Sequence, residues 1–180
     1  MKGYPARMSR PSRGLSIVAV VVIFAAGPAT AQDVPFFETP RAVVDTMMRL
    51  ADVREDDRVY DLGSGDGRIV IAAAVGHGAH AVGIELQPEL ITLSNENAEK
   101  AGVAERVEFV EGDLFETDFS EATVVMLYLQ PKVNRRLAPL LLEQLAAGTR
   151  VVSHRYEIDD WDPVERVKVQ GRWVFLYRIP

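Results

Sequence analysis

The sequence predicts an α/β fold: a doubly wound, mostly parallel sheet of seven strands that ends in an antiparallel hairpin. Three observations carry this. Apolar strand-like runs alternate with segments of helical spacing from Val59 to His154, as in repeated β-α-β units. The first run stops in a glycine-rich turn that opens straight into a helix. The last two runs, 164–169 and 173–178, are joined around Gln170-Gly171, a hairpin signal.

The chain front is read apart from this sheet. Lys2, Arg7, Arg10 and Arg13 precede an apolar run over 15–26, and Ala29-Thr30-Ala31 follows. A basic start, a short apolar run and an A-x-A site make a secretory signal peptide. The alternative is an uncleaved membrane anchor, although the run is short for a spanning helix. Either way, positive-inside orientation places residues 32–180, read as one domain, outside the cytoplasm: exported to the periplasm or medium if cleaved, membrane-anchored if not. Cleavage after Ala31 takes the formal net charge from −6 to −10. So acidic a surface argues against nucleic acid, whose phosphates need Lys and Arg. The chain has no cysteine, which excludes disulfides and thiolate metal sites.

The elements follow in order. Thr39-Pro40 reads as an N-cap with proline at the first helical position. Val43, Val44, Met47, Met48 and Leu50 then form an apolar stripe. Val59 and Tyr60 open the first strand, and a helix starts near Asp66 or Gly67. A second strand covers 81–86, and a helix over 88–101 is closed by Gly102. The third strand, 107–114, alternates; the fourth, 123–129, is apolar throughout. A helix over 131–147 ends at Gly148, and 150–154 is the fifth strand. The whole is Rossmann-like, with an antiparallel edge.

Function is written at the strand tips. The turn Asp61-Leu62-Gly63-Ser64-Gly65-Asp66-Gly67 has the form G-x-G-x-G, not the G-x-G-x-x-G of a dinucleotide site. Glycine accepts positive φ and lets backbone approach a ligand. Asp61 would repel a pyrophosphate but suits a cation such as the ammonium of a methionyl group, and Asp66 adds to that bias. Glu85, 24 residues on, stands at the next strand tip, where a carboxylate can accept ribose hydroxyls. Asp113 ends the third and can accept an adenine amine, with Leu86 and Leu114 on the ring faces. The residues expected to bind cofactor are therefore Asp61, Gly63, Ser64, Gly65, Gly67, Glu85, Leu86, Asp113 and Leu114.

Three successive acid-tipped strands resemble a class I S-adenosylmethionine-dependent methyltransferase. More narrowly, Thr39-Pro40, the run from Asp61 to Val70, and Arg150-Val151-Val152-Ser153 are similar to a family of small protein-lysine methyltransferases that includes the enzymes modifying the ATP synthase c subunit. The resemblance implies S-adenosyl-L-methionine as cofactor and a protein lysine or other amine as acceptor. A domain that binds the cofactor without transferring its methyl, and a small-molecule methyltransferase, stand as alternatives. The cap over the site is short, which favours a macromolecular acceptor.

Methyl transfer needs alignment and exclusion of water more than a strong catalyst. Tyr128, at the tip of the fourth strand, is the expected catalytic residue, with His154 a weaker candidate. His77, His80 and His154 lack metal-ligand spacing, so no metal is expected. Trp161 and Trp173 are read as core or rim packing, and the acidic stretch 157–162 as a solvated loop. The domain is read as a monomer. Its front segment offers a membrane association, and leaves open how an exported domain meets a cofactor made in the cytoplasm.

Overall fold

The computed structural model describes residues 37–180; the expected leader, 1–31, lies outside the described residues. The elements run α1 (Arg41–Leu50), β1 (Arg58–Leu62), α2 (Arg68–His77), β2 (His80–Glu85), α3 (Pro88–Ala101), β3 (Val107–Glu111), β4 (Val124–Leu127), α4 (Pro131–Gln144), β5 (Arg150–His154), β6 (Glu165–Val169) and β7 (Arg172–Arg178). The strands form one sheet in the order β3-β2-β1-β4-β5-β7-β6. Pairing is parallel from β3 through to β5, and β7 runs antiparallel to both β5 and β6. This is the mixed seven-stranded sheet that the sequence predicts.

The strands read as apolar on both faces because both faces are covered. Tyr60, Val125, Leu127 and Val151 share one layer with Val133, Leu137 and Leu141 of α4. Val59, Val124, Met126 and Val152 share the opposite layer with Val43 and Met47 of α1 and with Ile69, Val70 and Ala73 of α2. Burying each large aliphatic side chain contributes about 1.5–3 kcal/mol, so both layers bind α1, α2 and α4 to the sheet. The crossover from β3 to β4 reverses the winding between β1 and β4, and the crevice beyond their carboxyl ends is where such sheets take ligands.

Several boundaries differ from expectation, each for a local reason. Pro40, not Thr39, caps α1, and no side chain closes the cap; the Thr39 hydroxyl instead faces His154 Nδ1 at 3.4 Å. Helix α2 begins at Arg68 because Gly67 is left-handed, φ 79°. Strand β3 stops at Glu111, where its partner β2 ends at Glu85. Strand β4 stops at Leu127, opposite Leu62, the last residue of β1. Tyr128 and Leu129 thereby leave the ladder and enter the crevice. Helix α4 ends at Gln144, not 147, since Leu145 is extended and buried. In the hairpin, Gln170 and Gly171 have φ 49° and 77°, the mirror-image turn that a two-residue connection demands.

Candidate active site

A cavity of about 460 Å³ opens at the carboxyl ends of β1, β2 and β4. Of the residues expected to bind cofactor, Asp61, Gly63, Ser64, Glu85, Leu86 and Leu114 line it, as does Tyr128. Gly65, Gly67 and Asp113 are not on its wall. Gly67 has a packing reason instead: a Cβ there would lie 2.6 Å from the Phe109 ring and 2.9 Å from Ser94. Asp113 stands between the lining residues Gly112 and Leu114, and its Oδ1 accepts the Phe115 N–H at 2.9 Å.

Glu85 builds the turn. Its Oε2 accepts the Gly65 N–H at 3.0 Å, while Oε1 accepts those of Leu86 at 2.9 Å and Gln87 at 3.0 Å. A carboxylate offers about four acceptor positions, so one is left for a ligand hydroxyl. The glycine turn also leans on β2 directly, since the N–H groups of Gly63 and Ser64 both donate to the Ile84 carbonyl. Gly83 makes that approach possible, because a Cβ there would sit 2.6 Å from Ser64 Oγ. Sequence reading missed Gly83, although a lone glycine inside an apolar strand is a signal of close approach.

Asp61 is 1% exposed. Burial first, and then the charges of Glu85 and Asp66, hold its carboxyl well above the usual carboxylate range. A buried carboxylate beside two other acids gains from a cation set between them. Ser64 Oγ, also buried, has no partner. An orphaned hydroxyl, a close-approaching glycine turn and an acid that a cation would stabilise together fit the methionyl and ribosyl parts of S-adenosylmethionine. Asp66 does less than the sequence suggests, because Arg68 donates to it from Nε at 2.9 Å. Arg68 also reaches the Thr39 carbonyl at 3.1 Å, so it ties the segment before α1 to the cavity rim, where Phe37 and Thr39 join the lining.

At the far end, the Tyr128 ring lies 4.0 Å from that of His154, and the Arg155 guanidinium stands near its phenol. His154 is fully buried. Burial, then Arg172 and Arg155, lower its pKa to about 4, so the ring is neutral at ordinary pH. Its Nε2 is buried without a partner. His154 therefore supports the Tyr128 ring by packing. Among the described residues no cluster of three or more His, Cys, Asp or Glu is placed to hold a metal ion. Trp161 packs edge-on against Tyr177 at 5.8 Å.

Known proteins place this geometry. The ANTKMT methyltransferase domain family matches residues 61–165, more than half of the chain. A protein-lysine N-methyltransferase from Saccharolobus islandicus is 48% identical over 151 residues, covering 81% of this chain and 94% of its own length. The mouse adenine nucleotide translocase lysine N-methyltransferase is 36% identical over 146 residues, 81% of this chain but 63% of the mouse protein. A solved structure described as an RNA methyltransferase from Salinibacter ruber, in complex with S-adenosyl-L-homocysteine, is 56% identical with a TM-score of 0.79, covering 80% of this chain and 94% of that one. The chain belongs to the ANTKMT methyltransferase domain family and is an S-adenosylmethionine-dependent methyltransferase.

Proposed function

We propose that this enzyme methylates the side-chain amine of a lysine on a protein. The observation that carries the reading is the 48% identity to a protein-lysine N-methyltransferase along nearly the whole of that relative. The cavity agrees in character: its wall is acidic and polar at Asp61 and Glu85, and aromatic at Tyr128, where the fourth strand ends.

In this reading Asp61 holds the ammonium of the methionyl group, and the Ser64 hydroxyl and Gly63 face the same part of the ligand. Glu85 takes a ribose hydroxyl with its remaining acceptor position. Leu86 and Leu114 cover the adenine faces, and Asp113 accepts its amine. When bound, S-adenosylmethionine supplies the methyl from its sulfonium and departs as the neutral thioether. The acceptor nitrogen must arrive unprotonated, with its lone pair in line with the bond that breaks. Tyr128 borders that path; its oxygen receives a hydrogen bond from the acceptor N–H and so orients the lone pair. The product ammonium releases its extra proton to water at the open end of the cavity. Residues 1–31 carry the domain to or across a membrane, and the domain works as a monomer; the sequence pattern of the leader supports the first part.

The test is transfer of labelled methyl from S-adenosylmethionine into a cell extract, resolved into protein and RNA fractions, with peptide mass spectrometry of the product. Trimethylated or monomethylated lysine is the expected result. Label confined to RNA would replace this reading with that suggested by the name of the Salinibacter protein.

A further inference from the structure

A cluster of cations lies beside the Tyr128 mouth and the chemistry described above leaves it unused. Arg155 follows the last residue of β5 and is exposed, with φ 72°. A positive φ on a residue with a side chain is strained and persists where something else demands it. Here it sets the guanidinium near the Tyr128 phenol. The Arg155 N–H donates to the Trp173 carbonyl at 2.7 Å, which joins the mouth to the hairpin. On that hairpin Lys168 is paired with Trp173 and Arg166 with Phe175, so all four side chains share one face. Lys168 Nζ lies 5.3 Å and the Arg166 guanidinium 5.9 Å from the Trp173 ring centre. Trp173, 40% exposed, is open to solvent. Arg172, next to Trp173 along β7, points to the other face, the one His154 shares, and stays outside the patch.

None of Arg155, Arg166 and Lys168 pairs with a carboxylate among the described residues, and unlike the other unpaired arginines they gather round one exposed aromatic ring. Cations grouped in this way form a surface complementary to an acidic partner. The patch is short. Glu157, Asp159, Asp160 and Asp162 follow directly in the chain and would repel a long polyanion, so a short acidic peptide suits it better than RNA.

We propose that Arg155, Arg166, Lys168 and Trp173 form a ledge that selects acceptor lysines flanked by acidic residues. The inference rests on the lysine reading above. With the target side chain at Tyr128, flanking residues at about 3.3 Å per position run along the ledge.

Two readouts keep the ledge and the lysine reading apart. Peptides of one sequence are made with glutamate, glutamine or arginine on both sides of the central residue. With norleucine at the centre they cannot accept a methyl, and fluorescence anisotropy of the full-length protein reads docking alone. The glutamate peptide should bind about tenfold tighter than the glutamine peptide at low salt, the arginine peptide weakest, as expected for a few exposed ion pairs acting together. The preference should shrink at high salt and disappear in Arg166→Gln/Lys168→Gln. A Trp173→Ala variant, whose cations remain, should keep the charge preference with weaker binding overall. Equal binding of the three peptides, or a preference unaltered in the double variant, overturns the ledge. With lysine at the centre, turnover by mass spectrometry tests the acceptor: methylation of all three at one kcat/KM upholds the lysine reading and sinks the ledge. Methyl transfer to an RNA oligonucleotide and to none of the peptides overturns the lysine reading itself.

Discussion

Glu85 Oε2 accepts the backbone N–H of Gly65 at 3.0 Å, so the acid at the tip of β2 holds the glycine turn at the tip of β1. A hydrogen bond to a charged group is worth about 1.5–3 kcal/mol net. Glu85→Gln keeps the shape but cannot accept at both oxygens. It should lower the melting temperature by several degrees and weaken S-adenosylmethionine binding by about tenfold, measured by calorimetry. A variant that loses affinity at unchanged stability would confine Glu85 to ligand contact.

Asp61 should trade stability for binding. Its carboxyl titrates above the ordinary range in the folded chain, so the native state holds a proton that the unfolded chain has already released. Stability from this group is complete below the unfolded pKa and is lost as pH rises through the raised native value. Asp61→Asn should therefore melt higher than the wild type at neutral pH without ligand, and the gap should narrow toward pH 4. The same change should weaken cofactor binding by at least about tenfold, the scale of one charge-assisted bond. Wild-type affinity in Asp61→Asn would remove the carboxylate from the site.

His154 acts in the opposite direction. Its pKa falls from 6.5 to about 4 on folding, so the unfolded chain takes up the proton first. Stability from this group is present above pH 6.5 and is lost as pH falls toward about 4. At 1.36 kcal/mol for each pKa step the loss is at most about 3 kcal/mol. Denaturant melts of the wild type and His154→Gln across that window should converge as the pH drops. Parallel curves would mean that folding leaves the His154 pKa unchanged.

Gly83→Ala should test the packing of the turn. The added methyl would lie 2.6 Å from Ser64 Oγ and 2.7 Å from the Phe109 ring. Overpacking of this kind costs about 1–3 kcal/mol, and relief by moving Ser64 would displace the cavity wall. Reduced melting temperature together with reduced cofactor affinity is expected. Gly76→Ala, where a Cβ meets nothing within 4 Å, serves as the control and should leave affinity unchanged.

Strand periodicity and the acids at the tips made most of this fold legible before any coordinates. Asp61 and Glu85 were readable because a carboxylate closing an apolar run is conspicuous in one dimension. What stayed hidden is what depends on partners distant in the chain. Strands β3 and β4 end where β2 and β1 end, so their limits are properties of pairs. Thr39 looks like a helix cap locally, yet its hydroxyl is turned to His154, 115 positions away. Asp66 reads as a free charge, but Arg68 curls back on it. Arg155 and the hairpin cations gain meaning only once β7 inserts beside β5 and sets Trp173 next to Arg155.

That insertion also sets a schedule. Strand β7 lies between β5 and β6, and α1, the first helix described, packs against β5, β6 and β7. Val43 and Met47 are buried in the layer that holds Val174 and Leu176. The first helix therefore lacks part of its bed until β7 is made, and the layer closes only through contacts that span nearly the whole domain. Folding that waits on such distant contacts is slow to begin.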